Sequence, residues 1–382
     1  MANYFLLILL CIFFSNSQKD PTFESQVIDD KVAIGYGIAI GDVDGDRKPD
    51  ILLADKKQFV WYRNGDWKRF VMVDNLTESD NVCIAARDID GDDKVEVAVG
   101  AQWNPSETSD TLKSGSVHFL KRPIDPTQRW IAVKLHHEPT IHRMRWVKAG
   151  ENNYHLIVLP LHGRGNKNGE GQPVNVIAYE MPKDPAGKWK HSIIDQSMHL
   201  THNLDVVENG KSELIYIGGK EGIKMLSFEK GKWTAPSQGE WFVQKQSFGE
   251  IRVATGSKNF VAGIQPMHGN QLTVYTGNNN PTPTILTSKL NEGHALASSD
   301  LLRLGTDQVV VGWREPDEQK KTGIKIFVSQ DANGSSWKDF WVDDNGIACE
   351  DLQVADLDGD GKKDIVAAGR ATHNLKIYWN KN

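Results

Sequence analysis

The chain has 382 residues, 50 acidic against 44 basic side chains, and a formal net charge of −6. The two signs are interspersed without long single-sign blocks, which argues against a nucleic-acid or anionic-membrane partner. No stretch is apolar and long enough to cross a bilayer, so no membrane span is expected.

The chain opens on Tyr4–Phe14, a short apolar run followed by small and polar residues at Ser15, Asn16 and Ser17. This reads as a secretory signal over residues 1–17, with a secreted or periplasmic mature protein from 18 to 382. Cys11 as a lipid-anchor site is the rival reading, but Leu10 stands where a small residue would be expected. Removing the signal leaves Cys83 and Cys349, which fall in segments that are not sequence neighbours. Two free buried thiols are expected, and no disulfide framework.

Three loops share one grammar. Asp42, Asp44, Asp46 and Asp50 stand at positions one, three, five and nine of the first, with Gly45 at the turn. Asp88, Asp90, Asp92 and Glu96 repeat the pattern, and so do Asp356, Asp358, Asp360 and Asp364. Oxygen ligands at alternate positions around a glycine turn suit Ca²⁺, held here in a structural role. Each loop leads into an apolar run such as Ile51–Ala54 or Ile365–Ala368, which reads as a strand.

Aligning on the loops gives a period of roughly fifty residues, the spacing of a propeller or solenoid. Each unit holds a strand, the loop, a second strand, and two more strands ending in a Trp-containing phrase. Seven inner strands are counted, starting near Gly37, Val82, Arg143, Asn203, Ile251, Ala295 and Asp351. The last unit lacks a fourth strand, and Thr22–Ile28 supplies a spare one. The sequence therefore predicts an all-β, seven-bladed β-propeller, closed by pairing the N-terminal strand with the last blade.

In such a ring the acidic loops lie on one face, and the turns entering first strands and leaving second strands open on the other. The entry position holds Tyr36, Val82, His142, His202, Glu250, His294 and Glu350 in blades one to seven. The exit position holds Trp103, His162, Lys220 or Glu221, His268, Arg314 and Arg370. Five of the 12 histidines fall on these two rings, which points to a polar funnel at the axis. His142, His202 and His294 with Glu350 make a candidate inner site for Zn²⁺ or another divalent metal. Taken alone, each of these histidines is more often a hydrogen-bonded structural residue than a ligand, and the metal reading rests on their shared register. His162 and Tyr36 are candidates for proton transfer, with Lys220, Glu221, His268 and Arg314 placed to orient a ligand. Trp103, Arg164 and Arg370 are candidate substrate contacts, and Trp313 reads either as a second face for a sugar ring or, at least as well, as packing between blades. The segment Gly163–Gly171 is read as a rim loop that closes over a small ligand.

The acidic loops resemble calcium-binding FG-GAP or VCBS-type repeats. The middle of the chain, through Pro139–Trp146, Leu159–Gly165, His199–Asn203 and Gly218–Gly222, resembles the propeller domain of the aldos-2-ulose dehydratases. That resemblance implies a carbon–oxygen lyase of carbohydrate metabolism, removing water from a keto-sugar such as 1,5-anhydrofructose, with a small carbohydrate as substrate. Two alternatives stand beside it: a uronate polysaccharide lyase, and a non-catalytic calcium-dependent module binding carbohydrate or protein. A hydrolase finds no nucleophile-elbow motif here.

Overall fold

The computed structural model describes residues 20–237, 239–277, 281–331 and 333–382. The signal expected over residues 1–17 lies outside the described residues. No helix among the described residues is long and apolar enough to cross a membrane.

Seven antiparallel sheets form the ring. Their innermost strands are Gly37–Gly41, Cys83–Arg87, Ile141–Gly150, Thr201–Asn209, Ile251–Val253, Gly293–Ser299 and Cys349–Ala355. Second strands such as Asp50–Ala54, Glu96–Ala101 and Asp364–Gly369 are buried at every position. Both faces of each blade pack on a neighbour, so these strands read as continuous apolar runs. One core cluster shows the principle, joining Leu52 and Trp61 of blade one to Ile84 and Val97 of blade two. Outer strands are half solvated, as in Phe23–Asp29.

The ring closes as the sequence predicts. Phe23–Asp29 pairs antiparallel with Asn374–Asn380, in register from Phe23 opposite Asn380 to Asp29 opposite Leu375. Blade four departs from the expected unit. Its third strand, Gly222–Glu229, pairs at one end with Lys232–Thr234 and at the other with Trp241–Gln244. Pro236 lies between these two pieces and brings no backbone N–H to the ladder.

Cys83 and Cys349 are free and buried. Cys83 Sγ lies over Gly100, where an added Cβ would sit 2.5 Å away. Burial pushes this thiol up to about 12, so it is an inert packing group.

Candidate functional site

First strands run from one face of the ring to the other, and this direction separates two kinds of polar residue. The loop face carries the acidic turns. In the first turn, Asp42 Oδ1 accepts from Gly45 N at 2.6 Å and its Oδ2 from Arg47 N at 2.6 Å. Asp88 and Asp356 repeat both bonds in their own loops. Position four needs a left-handed backbone, which Gly45, Gly91 and Gly359 supply at φ 84°, 84° and 77°. Carboxylate oxygens of Asp42, Asp44 and Asp50 converge within 4.8 Å, as do those of Asp88, Asp90 and Glu96, and of Asp356, Asp358 and Asp360. Asp46, Asp92 and Asp364 complete the fours, Asp364 accepting from Leu357 N at 3.1 Å and Asn380 N at 2.9 Å. Burial pushes Asp50 and Glu96 up to about 7, a penalty that a bound cation relieves. The donor set fits a hard divalent cation.

The other face carries a circuit of side chains around the axis, closed by one backbone hydrogen bond. Trp103 meets His142 with ring centroids 5.0 Å apart, and His142 meets His202 at 4.5 Å. His202 Nε2 lies 2.9 Å from His268 Nε2, and His268 Nδ1 lies 3.3 Å from Arg314 Nη2. Arg314 reaches Glu350 at 3.3 Å, and Glu350 reaches Arg370 at 3.1 Å. Arg370 lies over the Tyr36 ring at 5.7 Å, and Tyr36 donates to Asp80 at 3.1 Å. Trp103 N donates to Asp80 O at 2.9 Å and completes the loop. Every blade contributes.

A guanidinium can only donate, which fixes the imidazole protons. Arg143 Nη1, 2.9 Å from His142 Nδ1, leaves the His142 proton on Nε2. Arg314 likewise leaves the His268 proton on Nε2, directed at His202 Nε2. The His202 proton then sits on Nδ1, 3.2 Å from Glu250 Oε1 and off the line of an ideal hydrogen bond. His294 Nδ1 donates to Glu350 O at 2.5 Å, which leaves its Nε2 unprotonated. A carboxylate behind one imidazole and a carbonyl behind another is the support found around metal-binding histidines.

Burial, and then the charge of a neighbouring arginine, holds His142 and His294 well below the ordinary histidine value. Burial, His202 and Arg314 bring His268 down to about 2. Burial also lowers His202, although Glu250 pulls the other way. All four imidazoles are therefore neutral at pH 7, available as ligands or hydrogen-bond partners but weak as bases.

Several expectations need correction. The compact group is His202, His268 and His294, whose ligand atoms lie within 4.8 Å of one another. His268, expected among the ligand-orienting residues, stands where His142 was expected. His142 falls outside that group, and the Glu350 carboxylate is held by Arg314 and Arg370. In blade three the exit register falls on Leu161, whose N donates to Thr140 O just as Trp103 N does to Asp80 O. His162 is therefore one residue off the ring, half-buried, with Nδ1 unpartnered.

Lys220 and Glu221 are engaged at the rim, Lys220 Nζ with Gly169 O at 2.9 Å and Glu221 with His199 Nδ1 at 2.9 Å. Arg164 pairs with Glu138 at 3.0 Å. The loop 163–171, read as closing over a ligand, is pinned in place. Asn166 within it is 1% exposed and donates to Gln172 O and His199 O. Trp313 packs between blades five and six, in one core cluster with Ile264 and Leu272, and meets Trp341 of its own blade with centroids 5.5 Å apart.

Asp80 and Glu292 are site residues that the register reading missed. Each stands two residues before an entry position, a polar residue repeating in the same register, and this is the signal that finds them. Glu292 binds Arg314, and its backbone holds a left-handed φ of 55°. Thr140, at the same register in blade three, has φ 54°, and His268 has φ 54°. Non-glycine residues held there concentrate at functional sites.

Residues 114–278 match the family model described as aldos-2-ulose dehydratase, beta-propeller domain. Residues 42–99 match an FG-GAP-like repeat. No curated protein matches the chain. A chain in the mercury-soaked crystal structure of BBS1N in complex with ARL6DN superposes with TM-score 0.59 at 12% identity, over 94% of this chain and 96% of that one. A chain of the mitotic checkpoint complex gives TM-score 0.57 at 8% identity, over 100% of this chain and 99% of that one. These likenesses are of fold alone. The chain is thus a seven-bladed propeller similar to FG-GAP repeats over residues 42–99 and, over residues 114–278, to the propeller domain of aldos-2-ulose dehydratase.

Proposed function

We propose that this propeller is a secreted or periplasmic carbon–oxygen lyase that eliminates water from a keto-sugar at its axial mouth. One observation carries the reading: the circuit of neutral histidines, arginines, Tyr36 and Trp103, to which every blade contributes. A solvated surface needs no such convergence.

The acidic loops hold Ca²⁺ in this reading, far from the chemistry. His202 and His294, backed by Glu250 and by the Glu350 carbonyl, would hold Zn²⁺ or another divalent metal, with His268 as the third ligand once its ring gives up the Arg314 contact. Such an ion supplies a Lewis acid for the sugar carbonyl oxygen. Arg314 and Arg370 flank the same space and favour negative charge as it develops on that oxygen. Trp103 offers an aromatic face to the sugar ring.

His162, lowered by burial alone with no cation's charge added to it, takes the proton from the carbon beside the carbonyl. The carbon–carbon double bond forms as the carbon–oxygen bond at the next carbon breaks. Tyr36 gives its proton to the leaving hydroxyl, and water departs. Burial and then the charge of Asp80 push the Tyr36 phenol up, which keeps the proton on it until that moment. The proton on His162 returns to Tyr36 through solvent.

Incubation with keto-sugars is expected to give ultraviolet-absorbing enone products. Tyr36→Phe and His162→Ala should each lower kcat by roughly 10²–10⁴-fold while calcium content and melting temperature hold. A stable wild-type protein inert toward every keto-sugar points instead to a binding module. Full activity in either variant removes that residue from the mechanism.

A further inference from the structure

Below the histidines the axis holds a second space. Arg145 stands three residues beyond His142 in strand Ile141–Gly150, about 10 Å further toward the loop face at about 3.3 Å per residue. It lines a cavity of 320 Å³ together with Arg87, Ile38, Ala85, Gln353 and Val354. The walls carry two guanidiniums and one amide among apolar side chains and backbone, and no carboxylate. Arg143, Glu250 and Arg252 separate this chamber from the histidines. Their ion pairs, at 3.8 Å and 3.4 Å, lie across the axis in buried surroundings.

The two guanidiniums differ in how they are matched. Arg87 binds Glu213 at 2.9 Å and lies over the Tyr154 ring at 4.8 Å. Arg145 donates only to Met144 O, at 3.0 Å, and forms no ion pair among the described residues. The acidic groups whose charges reach it are Asp205 and Asp351. Asp205 accepts from Val253 N at 2.8 Å, and Asp351 accepts from Ile38 N at 2.7 Å and Leu352 N at 2.9 Å. Arg252, whose charge also reaches Arg145, has a buried Nη2 without a partner. Arg145 is half-buried, and its guanidinium lines the chamber with donor capacity that Met144 O does not use. A planar fork of N–H groups matches two oxygens of one anion.

We propose that the loop-side chamber of the axis binds a small oxyanion, a carboxylate or a phosphate, on the guanidinium of Arg145. The proposal is independent of the chemistry at the histidine mouth. That mouth and this chamber are then two sites on one axis, divided by the Arg143–Glu250–Arg252 layer.

The test is calorimetric titration and thermal unfolding of the calcium-loaded full chain with sodium acetate, sodium phosphate and sodium chloride at matched ionic strength. One oxyanion is expected to bind one per chain and raise the melting temperature beyond the chloride control. Acetate acting alone identifies a carboxylate site, and phosphate acting alone a phosphate site. Arg145→Gln should weaken that binding at least tenfold, and Arg145→Lys, which keeps charge without the fork, should fall between. Binding that is unchanged in Arg145→Gln overturns the proposal. So does a wild-type response to both oxyanions no larger than that to chloride, a result that needs no variant.

Discussion

Replacing Glu250 by alanine is expected to destabilise the fold by about 3–5 kcal/mol, because it strips the shared partner from buried charges. Glu250 is 1% exposed and lies 3.2 Å from His202, 3.4 Å from Arg252 and 3.8 Å from Arg143, with Asn203 also donating to it. Burial, the largest influence, pushes its carboxyl upward. The His202 contact and the charges of Arg252 and Arg143 outweigh that and hold it at about 2, against an ordinary 4.5. A depressed acid stabilises the fold fully above about 4.5, and that contribution is lost as pH falls through about 2. Denaturant unfolding at pH 7 should show the full loss in Glu250→Ala, and the gap to wild type should narrow under acid. A variant as stable as wild type at pH 7 would mean that the axial arginines do not depend on this carboxylate.

Deleting residues 20–29 is the second large expected effect. The strand Phe23–Asp29 closes the ring through its register with Asn374–Asn380. Phe23 packs on the core between blades six and seven, and Ile28 on the core between blades seven and one. Asp29 accepts from Tyr62 at 2.6 Å and pairs with Arg69 at 3.4 Å. A ladder at about 1 kcal/mol per bond and two apolar side chains at about 2 kcal/mol each sum to several kcal/mol. That is comparable to the whole stability of a typical domain. The truncated chain should melt far lower and associate through its open edge, and a peptide of residues 20–30 should restore it. An unchanged melting temperature would show that the ring does not need its clasp.

Much of this architecture is legible in the chain because the acidic loops act as markers. Each loop fixes where a first strand ends and a buried second strand begins, so blades one, two and seven can be read directly. Blades three to six lack the full loop, and there the register had to come from strand pattern. This is why His162 was placed on the ring: nothing in the sequence separates it from Leu161, and the hydrogen bond of Leu161 N to Thr140 O decides the matter. The register reading also finds which face a histidine joins but not which ring nitrogen meets which. His268 and His142 share a face and each meets a guanidinium at Nδ1, and only the spacing of the ring nitrogens places His268 with His202 and His294. The outer edge of blade four is divided into two strands with Pro236 between them, a pairing that the sequence does not display.

The most direct test of the account is elemental analysis of the purified protein beside His268→Ala and His142→Ala. His202, His268 and His294 form the compact group, and His142 stands outside it. The account predicts one transition metal per chain in wild type and in His142→Ala, none in His268→Ala, and calcium unchanged in all three. A metal retained in His268→Ala, or calcium alone in the wild type, would contradict it.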